Sequence, residues 1–362
     1  MAKGQIRPRR SSGPVVAVTG AATGAGRALA ARLAESGEIR KVVAIDEHRG
    51  DVPDVIWRVM DVRDPQLSNR LSDVDVIVHL DIERSPEADH RKRRTYNVRG
   101  AQTVVTAAGA ARVRRVVLVT SAMVYGALAD NPVPLAEDAP LQGESNSSLV
   151  GDFLEIEELA ARAPVTHPGM TVTVLRPAAL VGPGVDTVVT RHFEAPRLLA
   201  VKGSAPRWQF CHIDDLVTAL ELAALGKVSG IMGVGSEGWL EQDEVEELTG
   251  KRRFELPAVI TFGTAQRLHR IGVTPAPATD LQYVVYPWVV DCAVLRNTGW
   301  KPAYDNASAL TALIEETAGR HALAGRRVGG KEATMATAAG ATVAVIGAAA
   351  VVRRARRKRR IQ

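Results

Sequence analysis

The sequence predicts an α/β protein built on a doubly wound parallel sheet, followed by a smaller C-terminal lobe. Three observations predict it. Short Val- and Ile-rich runs alternate with helical patterns, the runs are mostly apolar rather than strictly alternating, and the first of them ends in a glycine-rich turn that opens a helix. Such a run is a strand buried on both faces, the situation in a sheet with helices on each side.

Length and composition agree with that class. The 362 residues are 46% hydrophobic and 24% charged, which excludes a disordered or collagen-like chain. Two cysteines, Cys211 and Cys292, exclude a disulfide framework and suit a reducing cytoplasm. The formal charge is +6, but residues 353–362 hold seven Lys/Arg and residues 1–10 hold four, neither with an acid, so residues 11–352 carry −5. The body offers no compositional case for gripping nucleic acid. No apolar stretch follows the basic start before Pro14, so no secretory signal is visible.

The elements follow in order. After a flexible basic arm (1–12), strands are expected at 15–18, 42–45, 55–59, 74–80, 116–120 and 172–175, and helices at 26–34, 98–110 and 152–163. Pro and Gly become denser after residue 180 and the strand–helix rhythm breaks. The resulting plan is a core over 13–180 to which 209–225 return, a substrate lobe from 181–208 and 226–320, and a tail over 321–362.

The first strand runs into Gly20, Thr23, Gly24, Ala25 and Gly26, with a helical run from Arg27. Glycines at such a turn let the backbone bend tightly and approach a pyrophosphate, which meets the free N–H groups of the helix start. The second strand ends at Asp46, 26 residues after Gly20. A carboxylate there accepts hydrogen bonds from ribose hydroxyls and repels a 2′-phosphate. The sheet is therefore expected to be of the Rossmann type and to bind NAD in preference to NADP, with His48 and Arg49 tempering the preference. Asp61, at the end of the third strand, either meets the adenine edge or caps the strand.

Further motifs lie downstream. Val78-His79-Leu80-Asp81 closes the fourth strand, Asn97-Val98-Arg99-Gly100 lies in the next helix, and Ser121-Ala122-Met123-Val124-Tyr125-Gly126 follows the fifth strand. Arg176-Pro177 precedes Gly182-Pro183-Gly184, and Phe210-Cys211-His212-Ile213-Asp214-Asp215 and Gly299-Trp300-Lys301-Pro302 come later. In this order they resemble the extended short-chain dehydrogenases/reductases, specifically the NAD-dependent epimerases and dehydratases such as UDP-glucose/UDP-galactose 4-epimerases, over about residues 15–304. The resemblance adds Val62, Leu80, Asn97, Ser121, Arg176 and Pro177 to the cofactor contacts and implies hydride transfer at a carbinol carbon of a nucleotide sugar. The glycine turn departs from the extended pattern at Thr23, where glycine is usual; Gly24 and Gly26 keep the spacing of the single-domain reductases.

The resemblance also implies a Tyr that carries the proton, a Lys one helical turn later that lowers the Tyr pKa, and a Ser that binds the reacting oxygen. Ser121, four residues before Tyr125, holds the last place. The positions of the Tyr and Lys are held by Leu149 and Phe153. No shift of register restores the pair: the residues four after the five tyrosines are Gly100, Ala129, Pro287, Val290 and Ser308, and no Lys occurs between Lys92 and Lys202. Three readings stay open. The chain binds NAD without turnover, as a regulator or scaffold; or Tyr125, Asp81, Asp152 or Glu155 substitutes as acid and base; or the substrate needs little such help. Losing a general acid removes about 10²–10⁴-fold in rate, which leaves room for slow turnover only. A packed aromatic (Tyr125) and an acidic helix start (Asp152, Glu155) are the competing structural roles.

On the substrate side, Arg191 and Arg207 are candidates to clamp a diphosphate through forked hydrogen bonds, against the alternative of solvated loop charges. His212, Asp214 and Asp215 read as a helix cap and its neighbours. No His/Cys/Asp cluster has metal-ligand spacing, so no metal is expected. Residues 333–352 carry no charge and precede the basic run 353–360. As a helix they would be about 30 Å long, enough for a bilayer core. Their Ala, Gly and Thr content and the basic run on the far side argue against spanning, so a helix lying on a membrane surface and a basic tail touching nucleic acid compete with it. The protein is expected in the cytoplasm, with membrane association through this tail as one reading, and its Ala-rich helix at 98–111 permits a homodimer.

Overall fold

The computed structural model describes residues 13–327 apart from 272, 273, 275, 276 and 324. The basic arm and the tail's uncharged segment and basic end lie outside the described residues.

Strands β1 (Val15–Thr19), β2 (Lys41–Asp46), β3 (Ile56–Val59), β4 (Val76–His79), β5 (Arg115–Val119) and β6 (Thr171–Pro177) appear where the apolar runs predict them. They are joined by helices α1 (Gly24–Glu35), α2 (His90–Ala110) and α3 (Leu149–Thr166). Beyond β6 the chain forms β7 (Ala179–Val181), α4 (Val188–Glu194), β8 (Leu198–Val201), β9 (Arg207–Trp208), β10 (Phe210–His212), α5 (Ile213–Leu225), β11 (Gly230–Val234), β12 (Leu240–Glu241) and β13 (Arg253–Leu256).

The main sheet has seven strands, all parallel, in the order β11-β6-β5-β4-β1-β2-β3. Its two faces bury different sets of side chains. Val15 and Ala17 of β1 pack with Val104 and Ala108 of α2 and Phe153 and Ile156 of α3. Val16 and Val18 pack with Leu29 and Leu33 of α1 and Leu216 and Leu220 of α5. Two buried faces explain the mostly apolar runs.

Winding reverses between β1 and β4, and the crevice outside the carboxyl ends of strands at such a reversal is where ligands bind in open α/β sheets. One boundary differs from the sequence expectation. Residues 230–234, expected in the substrate lobe, add a seventh strand beside β6. Gly230 and Ile231 are exposed and only the last three residues are buried, so this edge strand carries no continuous apolar run.

The remaining pieces sit over the crevice. β7 pairs with β10 and β8 with β13, both parallel, and β9 pairs with β12 antiparallel. No helix among the described residues is long and apolar enough to cross a membrane.

Candidate active site

The turn between β1 and α1 is shaped by glycine where nothing else fits. Gly20 has φ +66° and its missing side chain leaves room for the backbone of Asp81; a Cβ at Gly26 would lie 2.0 Å from the Gly20 carbonyl oxygen. Thr23 is the N-cap of α1 but its side chain caps no amide, and the first turn holds no acid. The leading N–H groups of α1 thus keep their donors and the positive end of the helix dipole for an anion. Asp46 stands at the end of β2, accepting from the backbone N–H of Ala22 (3.0 Å) and of His48 (3.1 Å).

These residues line a groove of about 530 Å³ whose other wall is Leu80, Asp81 and Tyr96. Its carboxylates gather at one end. Asp81 accepts from the Tyr96 hydroxyl at 2.6 Å, and burial with nearby Asp46, Glu47 and Asp61 pushes its carboxyl up to about 6. A long groove with amide donors on one wall and a carboxylate at the ribose position fits NAD, and the gathered negative charge disfavours an added 2′-phosphate.

The other expected cofactor residues are placed unevenly. Leu80 lines the groove. Asp61 is held by the Arg63 guanidinium, which keeps its carboxyl below the usual range, and Val62 is fully buried. Asn97 reaches the groove only indirectly: it grips the backbone of Glu83 through Oδ1 (2.8 Å) and Nδ2 (3.0 Å), bracing the segment after β4. Pro177 lines a second cavity instead.

Arg176 is not a cofactor contact in this geometry. Its Nε and Nη2 each donate to Glu157 at 2.9 Å and its Nη1 to the Tyr125 hydroxyl at 2.7 Å, all buried. Tyr125 in turn donates to the Glu137 carbonyl at 2.7 Å and is fully buried.

The second cavity, about 330 Å³, shares Arg84, Ser85 and Leu180 with the groove as a common wall. Ser121 lines it, its Oγ accepting from the Met123 amide (3.2 Å) and facing the Pro177 carbonyl (3.4 Å). Leu149 and Phe153, one helical turn apart on α3, line the same cavity. The positions expected for the Tyr and Lys thus face the site but carry no ionisable group. None of the four substitutes lines this cavity. Tyr125 and Asp81 are engaged as described, Asp152 is buried against Arg93 and Asn97, and Glu155 pairs with Arg94 on the surface.

The expected diphosphate clamp is also absent. Arg191 is buried and bound to Asp186 and Glu87, each at 2.7 Å, and Arg207 is paired with Glu241 at 2.9 Å. Two groups that sequence reasoning missed face the cavity. Arg84 has one hydrogen bond, to the Ile82 carbonyl at 3.3 Å, no carboxylate partner among the described residues, and its guanidinium 5.8 Å over the Phe153 ring. Burial lowers its pKa to about 10, so it stays charged at neutral pH. The other is Asp280. No local motif surrounds either. As predicted, His212 caps α5 through Nδ1, accepting from the Asp214 amide, and Asp215 accepts from Ala303 and Tyr304.

Comparison with known proteins places this geometry. A family model described as the NAD dependent epimerase/dehydratase family matches residues 16–234. An uncharacterized protein of Mycobacterium tuberculosis is 28% identical over 313 residues, 82% of each chain, and one of Mycobacterium bovis matches to the same extent. Among solved structures, MoeE5 in complex with UDP-glucuronic acid and NAD superposes with a TM-score of 0.64 at 23% identity, covering 84% of this chain and 99% of that one. The UDP-glucose 4-epimerase of Thermus thermophilus in complex with NAD gives 0.62 at 18% identity, covering 83% and 98%. The dTDP-glucose 4,6-dehydratase of Bacillus anthracis gives 0.61 at 18%, covering 84% and 96%.

Proposed function

The chain belongs to the NAD dependent epimerase/dehydratase family, and from that premise we propose that it binds NAD in the groove and a nucleotide sugar in the adjoining cavity, and moves hydride at a carbinol carbon of the sugar. The observation that carries this reading is the common wall. Arg84, Ser85 and Leu180 border both spaces, so the cavity that Ser121 lines adjoins the groove. The ligands of MoeE5, UDP-glucuronic acid or UDP-glucose with NAD, support the substrate class.

NAD, when bound, supplies the hydride acceptor. The N–H groups at the start of α1 hold the pyrophosphate, Asp46 accepts from the adenosine ribose, and Ser121 Oγ hydrogen-bonds the reacting oxygen. Leu149 and Phe153 exclude water without moving protons. Arg84, unlike Arg191 and Arg207, has no carboxylate partner among the described residues and meets an anionic group at the neck of the two spaces.

The test is to purify the chain, denature it and identify the released small molecules by mass spectrometry. NAD together with a nucleotide sugar supports the reading, and Ser121→Ala is then expected to abolish turnover with NAD affinity nearly intact. NAD alone supports instead an NAD-binding regulator, whose function in the cell would be lost on deleting residues 331–362 while the body still binds NAD. No released nucleotide, and no binding of added NAD, overturns both.

A further inference from the structure

We propose that Asp280 is the proton-accepting group of the Ser121 cavity, standing in for the absent tyrosine; the inference rests on the functional reading above. Three carboxylates line that cavity. Glu87 is tied to Arg191, and Asp89 is spent capping α2, accepting from the amides of Arg91 and Lys92. The Asp280 side chain has no hydrogen bond or ion pair among the described residues and is partly buried. A partly buried carboxyl on a cavity wall, tied to no other side chain, is open to a ligand or a proton.

Its position fits that use. Asp280 lies on the single helical turn Ala278–Leu281, and the neighbouring Thr279 receives a hydrogen bond from Asn146 Nδ2 at 3.3 Å. Asn146 stands three residues before Leu149, the first residue of α3, and Leu149 faces the same cavity. A distant segment thus brings a carboxyl to the end of α3 where the resemblance puts the tyrosine.

The surroundings set its protonation. Burial pushes the Asp280 carboxyl up to about 7, Glu144 adds to the shift and Arg93 of α2 opposes it. Tyr283, whose hydroxyl donates to the Met123 carbonyl, is itself shifted up by burial and stays neutral. Arg84, His90, His269 and Arg326 are the other titratable or charged groups on the wall. An acid titrating near the working pH is the most effective proton carrier.

In the step, the O–H and C–H bonds of the sugar carbinol break and a carbonyl forms. The hydride leaves with its electron pair to the nicotinamide of NAD, the oxidant, and the proton passes to an Asp280 carboxylate oxygen while Ser121 keeps its hydrogen bond to the reacting oxygen. Return of both to the carbonyl reverses it.

The experiment uses the full chain with NAD and UDP-glucose, following reduced nicotinamide by absorbance across pH. The wild-type rate is expected to rise through about pH 7. Asp280→Asn is expected to lower it by roughly 10²–10⁴-fold and erase the pH step. Asp280→Glu should restore part of the rate with a displaced midpoint, while both variants bind NAD and UDP-glucose as the wild type does. Carboxyl NMR of aspartate-labelled protein gives a readout apart from turnover: one resonance titrating near pH 7, absent from Asp280→Asn. Retention of rate and pH profile in Asp280→Asn, or no aspartate titrating in that range, overturns the proposal alone. A wild type that never reduces NAD with a nucleotide sugar overturns the functional reading and this inference together.

Discussion

Asp81 and Gly26 show how much of the groove hangs on single residues. The Asp81 carboxyl, raised to about 6 mainly by burial, is protonated in the folded chain at pH values where the unfolded chain has already ionised it. The stability this provides is present at low pH and is lost as pH rises from about 4 through about 6, leaving a deficit on the order of 3 kcal/mol above it. Asp81→Asn keeps an acceptor for the Tyr96 hydroxyl and removes the charge. Its melting temperature is expected to exceed wild type at pH 8 and to be flatter between pH 4 and 6; an unchanged curve refutes the burial argument. Gly26→Ala must push a Cβ into the Gly20 carbonyl, so it should unfold the turn and abolish NAD binding. Gly24→Ala meets no atom within 4 Å and faces only the strain of φ +51°, about 1–2 kcal/mol. The placement of both glycines in the turn and of Asp46 at the end of β2 was legible because it is set locally. Arg207 misled because the carboxylate that neutralises it, Glu241, lies 34 residues away; Arg191 is gripped by Asp186, only five residues before it, as well as by Glu87, 104 residues away, and its burial between them is what the sequence did not show. Asp280 was invisible because the short turn that carries it is placed by tertiary contact, its neighbour Thr279 accepting from Asn146, 133 residues away.

At the scale of elements, α2 and α3 are pinned to each other by charge inside the core. Arg93 Nε donates to Asp152 Oδ2 at 2.8 Å, its Nη2 to the Ser147 carbonyl at 2.6 Å, and Asn97 Nδ2 to the same Asp152 oxygen at 3.0 Å. Both charged partners are under one-tenth exposed, so removing one strands the other without solvent. Asp152→Ala should cost about 3–5 kcal/mol in chemical denaturation, and Arg93→Met together with Asp152→Leu should recover most of it. A double variant no better than the single would show that the pair itself is not the source. The sequence offered Asp152 as an acidic helix start or a proton carrier. Its burial against α2 is a third role, which needs the packing of two helices to appear. Strands β1, β2, β4, β5 and β6 were legible because burial on both faces writes itself as a mostly apolar run, and the edge strand β3 by its Val, Ile and Trp content although its ends are exposed; β11 was not, because an edge strand with Gly230 and Gly233 has no such run to show.

The whole molecule couples the groove to the lobe through polar bonds within the core. Gln209 donates to the carbonyls of Ser236 and Val290 and accepts from the Val290 amide, all at 3.0 Å, and Asn306 Oδ1 accepts from the Phe210 amide at 2.8 Å. These bonds tie the strand entering α5 to segments some 27 to 96 residues further along. A ligand held in the groove should therefore stabilise the sheet and the lobe as one unit, and melting should remain a single transition with or without it. At about one hundred times its dissociation constant a ligand adds about 2.7 kcal/mol, a rise of several degrees for a chain of this size. NAD is expected to give that rise at a concentration where NADP gives little, because Asp46 and Asp81 bring negative charge to the groove wall while Arg63 is occupied by Asp61 and Glu47. Asp46→Ala should shrink the NAD shift and narrow the gap between the two dinucleotides. Equal shifts for NAD and NADP in the wild type would mean that His48 and Arg49 outweigh the carboxylates, and the cofactor preference would have to be reversed.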